Sequence, residues 1–542
     1  MRRIDMVAAL AVVGGMLSAC AKADTYVITL DEQAAADSAA VSPPAMGDFG
    51  QAAEGLSGRL LVFFITETGP RWQRMQPRQA PFFGAPQPIA SVEVKNLRPG
   101  QTIEIAHDAF EASWPRDLGT VAGPVRVQAL LDIDRTERSH NAGPGNVYSD
   151  VVEATLAADG ADRIELVLKS VVKKLEPPAT DHVNLRWVEL RSDLLSAFYG
   201  RDVVMRAGVA LPLQYFEKKY PQRSWPAIYE IPGFGGTHFG AAEYAEMFAR
   251  PGIEAVAPMA VTIVLDPESP LGHHGFMDSP NHGPRGTALV TELIPHLEKE
   301  FRLVPKPEAR IVTGHSSGGW SSLWLALQWP EVFGACWSTS PDPIDFSAFQ
   351  MTDLYADASM YEMADGADTP SYREISGPRG ETTVRMTVRQ EAMMEWALHP
   401  RGGSGEQWDT WEAMFSPRNP EHAVSGLPQE MFDPLTGAID REVVEHWRRF
   451  DITRLVEADW PKYGPVVMNN VRLACGELDS FYLNRAVERF KTIVEAKRGD
   501  AQGAGYVLMV PLADHGNLRE HIFTRINEEM RAHLRAHGLH PW

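Results

Sequence analysis

The hexapeptide Gly314-His315-Ser316-Ser317-Gly318-Gly319 carries the sharpest chemical signal in the chain. It follows the apolar run Arg310-Ile311-Val312-Thr313 and opens a stretch with helical periodicity. A serine in a G-x-S-x-G frame between a strand and a helix reads as a nucleophile elbow. The strained turn holds the hydroxyl clear of the backbone, and glycine two residues to either side removes side chains that would collide. Serine is a weak nucleophile at its own pKa, so it needs a base, and the base needs an acid to orient it. The chain supplies them in the order serine, acid, histidine. Gly476-Glu477-Leu478-Asp479 follows a run ending at Cys475, and Asp514-His515-Gly516 follows one ending at Val510. We read Ser316 as nucleophile, Asp479 as acid and His515 as base. Glu477 is the rival acid. Asp479 also reads as a helix N-cap ahead of Leu483, and His515 as a plain loop histidine. Asp514 adjoins the base, but neighbouring residues usually point apart; His521 reads as a surface residue of the next helix.

An attacked carbonyl also needs two N–H donors for its developing oxyanion. One falls to Ser317, directly after the nucleophile. The other falls to the glycine-rich loop Ile231-Pro232-Gly233-Phe234-Gly235-Gly236, with Phe234 first and Gly235 second. A plain tight turn is the competing reading of that loop. It matches neither G-x-G-x-x-G nor G-K-[ST], so a phosphate cradle has no support. His273, His274 and His282, with Asp278, have the residue types of a metal cluster; loop packing near the pocket is the preferred reading, and neither metal nor cofactor is expected.

The elements that must position these residues follow from periodicity. Over 24–176 the chain reads as short strands: Tyr26–Leu30, Arg59–Thr66, Ser91–Val94, Thr102–Ala106, Val125–Ile133, Val151–Leu156 and Arg163–Val172, with Ala34–Gly55 as a mobile loop. Turn signals between them predict an antiparallel β-sandwich, closed by the linker-like Glu176-Pro177-Pro178. From 177 onward a second domain is expected. Strand-like runs at Pro226–Ile231, Ala257–Leu265, Ala309–Thr313 and Phe333–Ser338 alternate with helical ones at Gly286–Arg302 and Ser317–Trp329, which predicts a parallel sheet covered on both faces. The alternation breaks over 341–460, rich in Met, Trp, Arg and Pro. It resumes with strands Val471–Cys475 and Tyr506–Val510 and helices Leu483–Lys497 and Asn517–His537. The 341–460 block therefore reads as an insertion between two strands of one sheet, either a lid or an extra packed layer.

The chain has 542 residues, 44% hydrophobic and 23% charged, with a formal charge of −20. That composition is globular, and its sign disfavours a nucleic-acid partner. Residues 1–19 read as a signal: Arg2-Arg3, then the apolar run Met6–Leu17, then Leu17-Ser18-Ala19-Cys20. The last four resemble the lipobox of bacterial lipoproteins, which implies lipidation at Cys20 and a membrane anchor; Ala21 after it implies the outer membrane, facing the periplasm or the surface. Cys336 and Cys475 read as buried free thiols, although the compartment permits a disulfide.

The segment His274-Gly275-Phe276-Met277-Asp278-Ser279-Pro280-Asn281-His282-Gly283-Pro284, with Thr291–Pro295, the elbow and Gln328-Trp329-Pro330-Glu331-Val332-Phe333, resembles the bacterial putative-esterase family, relatives of enterochelin esterase and S-formylglutathione hydrolase. The resemblance covers about 200–340 and 465–520, and implies an α/β-hydrolase domain that cleaves carboxylic esters through an acyl-enzyme. The substrate expected is a small-molecule or glycan-linked ester. A peptidase or acyltransferase would use the same triad. A non-catalytic surface lipoprotein that binds a glycan or partner is the reading from another class. The oligomeric state is not legible.

Overall fold

The computed structural model describes residues 24–539, apart from 43–49, 53, 81–82, 158–161, 219–222 and 421–425. The signal-like segment and Cys20 lie outside the described residues. Ten strands between Thr25 and Val171 form one hydrogen-bonded sheet. The strand Arg163–Val171 shows the expected alternation, with Ile164, Leu166 and Leu168 buried between exposed neighbours. The sheet departs from the antiparallel expectation at one place: Thr25–Leu30 pairs in parallel with Arg163–Val171. Tyr26 and Phe64 lie on strands four places apart in the sheet, yet their rings are 5.9 Å apart. At roughly 4.8 Å per strand a flat sheet would separate them by much more, so the sheet curls around a single core. Ala34–Val41 is not a mobile loop but most of a helix, Glu32–Val41. It is capped by Asp31, whose carboxylate accepts from the Gln33 and Ala34 N–H groups.

The second sheet has eight strands: β1 (Leu185–Arg191), β2 (Val204–Ala210), β3 (Ala227–Ile231), β4 (Val261–Leu265), β5 (Arg310–His315), β6 (Ala335–Thr339), β7 (Val471–Gly476) and β8 (Tyr506–Val510). Their spatial order is β1-β2-β4-β3-β5-β6-β7-β8. From β4 onward the pairing is parallel, whereas β2 runs antiparallel to both of its neighbours. The first two strands were not legible in the sequence. The central strands are continuous apolar runs because both faces are covered. On β5, Val312 joins the core beneath helix α1 (Ser317–Gln328). Its neighbour Ile311 packs with Met530 and Leu534 of the C-terminal helix Leu518–Ala536 on the opposite face.

The insertion lies between β6 and β7, as its composition break indicates. After an irregular stretch with a short turn at Phe346–Ala348 come a hairpin (Pro370–Ile375 and Thr382–Thr387) and helix α2 (Val388–Leu398), which starts at a capping box formed by Thr387 and Gln390. Helix α3 (Gln407–Phe415) follows. Trp408, Trp411 and Phe415 of α3 pack against Phe346, Phe349 and Trp447, in the same core as the sheet. The block is thus a packed layer. Its helix α2 also covers the outer face of the N-terminal sheet, where Met394 and Leu398 meet Leu61, Phe63 and Leu130. That contact explains why Leu60-Leu61-Val62-Phe63-Phe64-Ile65 shows no alternation: both faces of the strand are buried.

Candidate active site

Ser316 occupies the turn between β5 and α1 with φ 61° and ψ −126°. A positive φ is costly for a residue with a side chain. The surroundings enforce it. The Ser316 N–H donates to the Thr339 carbonyl at 3.0 Å, and the Ser316 carbonyl accepts from the Trp320 and Asp342 N–H groups at 3.0 and 3.2 Å. The glycine requirement read from the motif is visible in space. A Cβ on Gly314 would run into the carbonyl of Gly318, and one on Gly318 into the carbonyl of Ile231 at the end of β3.

Asp479 and His515 come from the loops after β7 and β8. Their side chains meet, with His515 Nδ1 2.8 Å from Asp479 Oδ2. Asp479 is fully buried, and its other oxygen accepts from the Phe481 N–H at 3.0 Å and the Leu483 N–H at 3.4 Å. The loop bonds and the histidine contact thus fall on different oxygens; the following helix, Asn484–Arg498, has Leu483 at its N-cap with no side-chain cap, so Asp479 is not its N-cap. Burial works against the charge of Asp479, but the facing His515 and hydrogen bonds from His515, Ser340 and the Phe481 N–H hold its pKa below the usual range. Burial likewise works against a charged His515, and the facing Asp479, with Asp342 and Asp514 behind it, raises its pKa above the ordinary value. The rival acid Glu477 is exposed, Asp514 accepts from the Asn517 N–H at 2.8 Å, and His521 is exposed.

The His515 ring lies 4.5 Å from that of His315, the residue before Ser316, and edge-on to Phe481 at 4.9 Å. Ser316 Oγ and His515 are not hydrogen-bonded to each other here; such bonds often tighten only when substrate is bound. Burial first, and then the neighbouring His515, push His315 down to about 3, so it stays neutral.

The loop Gly233–Gly236 closes over the elbow. A Cβ on Gly233 would stand 3.2 Å from Ser316 Cβ. The Gly236 N–H donates to the Gly233 carbonyl at 2.9 Å, and Gly235 has φ +76°, so the turn projects Phe234 at its tip. Neither the Phe234 N–H nor the Ser317 N–H is taken up by a hydrogen bond within the described residues.

His273 buttresses this loop: its Nε2–H donates to the Pro232 carbonyl at 3.0 Å, and its Nδ1 accepts from the Gly275 N–H. Burial pushes it down to about 4, consistent with that neutral tautomer. His274 accepts from the Phe276 N–H, and His282 Nδ1 lies 3.1 Å from Ser269 Oγ. The three histidines are thus packed in the core. Among the described residues no His, Cys, Asp and Glu are grouped to hold a metal ion. Cys336 and Cys475 are buried and unbridged.

Three features escaped sequence reasoning. Asp342, on the loop after β6, is a buried carboxylate that accepts from Ser317 Oγ at 2.7 Å and from the Trp411 indole N–H at 2.8 Å. It ties the insertion to the residue after Ser316. An acid just past a strand end, beside the elbow strand, was the available signal. Arg138, from the N-terminal domain, is ion-paired to Glu268 at 2.6 Å and Glu406 at 3.3 Å, and its guanidinium lies 4.6 Å from the Phe234 ring. Phe83, also N-terminal, packs edge-on against Phe481 at 5.4 Å. Nothing in the sequence signals those two.

A mixed sheet with β2 reversed, a serine elbow after β5, and an acid and a histidine on the loops after β7 and β8 define an α/β-hydrolase. Residues 201–424 match the family model described as putative esterase, as the sequence resemblance implied; the match takes in the elbow and the Gly233–Gly236 loop and ends before Asp479. The match supports ester hydrolysis in general. No curated protein matches the chain. Among solved structures, a ferulic acid esterase is 13% identical, covering 64% of this chain and 98% of its own, with a TM-score of 0.38. S-formylglutathione hydrolase from Agrobacterium tumefaciens is 17% identical, covering 65% and 94%, with a TM-score of 0.34. A ferulic acid esterase from Anaeromyces mucronatus is 12% identical, covering 66% and 95%, with a TM-score of 0.32. Likenesses this remote bear on neither the site nor the substrate.

Proposed function

We propose that the protein is a serine carboxylesterase working through Ser316, His515 and Asp479. Ser316 Oγ attacks the ester carbonyl carbon while His515 Nε2 takes its proton. The oxyanion is held by the Phe234 and Ser317 N–H groups. The alcohol leaves with the proton from His515, giving an acyl-enzyme. A water, deprotonated by the same imidazole, then attacks the acyl carbonyl and releases the acid and free Ser316. Asp479 holds Nδ1 protonated, so that Nε2 is the basic nitrogen. The observation that carries this reading is the 2.8 Å contact between buried Asp479 and His515, on loops next to the strained elbow.

A fluorophosphonate probe tests the nucleophile. It should label the wild type and spare Ser316→Ala, and hydrolysis of 4-nitrophenyl acetate should be lost with the label. Labelling that survives the substitution would reject the assignment.

A further inference from the structure

A cleft of about 430 Å³ lies where the curled N-terminal sheet, the insertion and the Gly233–Gly236 loop meet. It touches the proposed active site from two sides. Phe234 and Gly235 line it, and Gly233 beside them abuts Ser316. Phe83 also lines it, and packs on Phe481, which packs on His515. Most of the wall comes from the N-terminal domain. Its body is apolar: Phe63, Phe83, Ile89, Phe234, Met394 and Leu398.

The charge on the wall is what points to a ligand class. Two guanidiniums, Arg78 and Arg138, and one carboxylate, Glu406, line the cleft. Arg138 and Glu406 pair with each other. Arg78 pairs with no carboxylate among the described residues. Neutral groups hold it instead: its Nε donates to Gln76 Oε1 at 3.2 Å, one terminal nitrogen donates to Asn141 Oδ1, and its plane lies 4.2 Å from the Tyr148 ring. His140 beside it is kept neutral by burial. Arg78 is therefore the guanidinium of the cleft that no carboxylate pairs directly among the described residues, whereas Arg138 is matched by both Glu406 and Glu268. A half-buried guanidinium without a counter-ion, braced by neutral acceptors and facing an apolar space, is built to receive an anion.

We infer that this cleft is a substrate subsite, supplied chiefly by the N-terminal domain, for an ester whose distal part is an apolar body ending in a carboxylate held by Arg78. The inference rests on the esterase reading of Ser316 and adds the substrate class. The carboxylate can sit on either half of the ester, and two kinetic arms distinguish the halves. In the acyl arm, kcat/KM for the 4-nitrophenyl ester of suberic acid with its free carboxylate is compared with that for its methyl-capped form. In the alcohol arm, the acetate of a 4-hydroxyphenylalkanoic acid is compared with that of the matching amide.

The wild type should prefer the anionic member in one arm, and Arg78→Gln should lower that preference roughly ten- to a hundredfold, the worth of a hydrogen bond to a charged group. Because the readout is a ratio within one protein, loss of folded enzyme cannot mimic the effect. Arg71→Gln, an exposed guanidinium outside the cleft, should leave the ratio unchanged. Calorimetry of monomethyl suberate on Ser316→Ala protein reads the subsite without chemistry, and Arg78→Gln in that background should weaken binding by the same factor. No anionic preference in either arm, or a preference and affinity indifferent to Arg78→Gln, overturns the inference while Ser316-dependent turnover of 4-nitrophenyl acetate leaves the esterase reading standing. Loss of that turnover with Arg78-dependent binding intact does the reverse.

Discussion

Asp479→Asn isolates the role of the buried carboxylate. In the wild type one oxygen accepts from the Phe481 and Leu483 N–H groups, and the other faces His515 Nδ1 at 2.8 Å. Asparagine has a single acceptor oxygen. The two backbone donors claim it, which turns the NH₂ group toward Nδ1. The imidazole must then present a lone pair at Nδ1 and carry its proton on Nε2, where it cannot accept the proton of Ser316. The wrong tautomer in an otherwise intact site costs about 10⁴ in kcat, or about 5.4 kcal/mol at about 1.36 kcal/mol per decade. The variant has a second signature. His515 must be neutral to act as base, so activity rises with pH through its pKa, which Asp479 raises. Removing that charge moves the acidic limb of kcat/KM to lower pH, though only in part, because Asp342 and Asp514 remain. Steady-state hydrolysis of 4-nitrophenyl acetate from pH 5 to 9 reads both effects, with circular dichroism to confirm the fold. Glu477→Gln, at an exposed position, serves as the control and should match the wild type. A variant retaining more than about a tenth of wild-type kcat, with its acidic limb unmoved, would refute the reasoning.

Two further outcomes concern stability. Arg138→Ala should lower the urea midpoint by the equivalent of about 3–5 kcal/mol, because it strands the carboxylates of Glu268 and Glu406 at the junction of the domains; adding Glu268→Gln should recover part of the loss, and an unchanged midpoint for the single variant would show that the pair contributes nothing. Glu391 is buried between Ser371 and Trp408, and burial pushes it up to about 7. The folded state then holds a proton that the unfolded chain has already lost between about pH 4.5 and 7, so this group's stability contribution is present below that window and falls as pH rises through it. Glu391→Gln should raise the melting temperature at pH 8, by up to about 3 kcal/mol of stability, and should make the decline between pH 5 and 7 shallower than in the wild type; parallel declines would contradict this.

Much of the machinery was legible because it rests on local sterics. The elbow announces itself, since only glycine fits where a Cβ at 314 or 318 would meet backbone carbonyls. The order of Asp479 and His515 along the chain was legible too, because each follows a buried strand whose apolar run marks where a loop must begin. The alternation of Ile164, Leu166 and Leu168 fixed a half-buried strand, and the loss of alternation over 341–460 fixed an insertion. Other elements were hidden for equally physical reasons. Leu185–Arg191 carries a mixed pattern, because a strand at a sheet edge is only partly covered. Ala34–Val41 reads as a loop by composition, yet Asp31 caps it into a helix.

What the sequence determined by itself was the type of each candidate reacting group and the turn that strains the serine, because those depend on residues a few places apart. What only the tertiary structure decided was which groups share a space: Asp479 rather than Glu477 against His515, Asp342 beneath Ser317, and Arg138, Phe83 and Arg78 brought from the N-terminal sheet to the edge of the site. Those meetings join residues tens to hundreds of positions apart, and no local periodicity encodes them; they exist because burying the outer face of one sheet under the insertion of the other sets the two surfaces against each other.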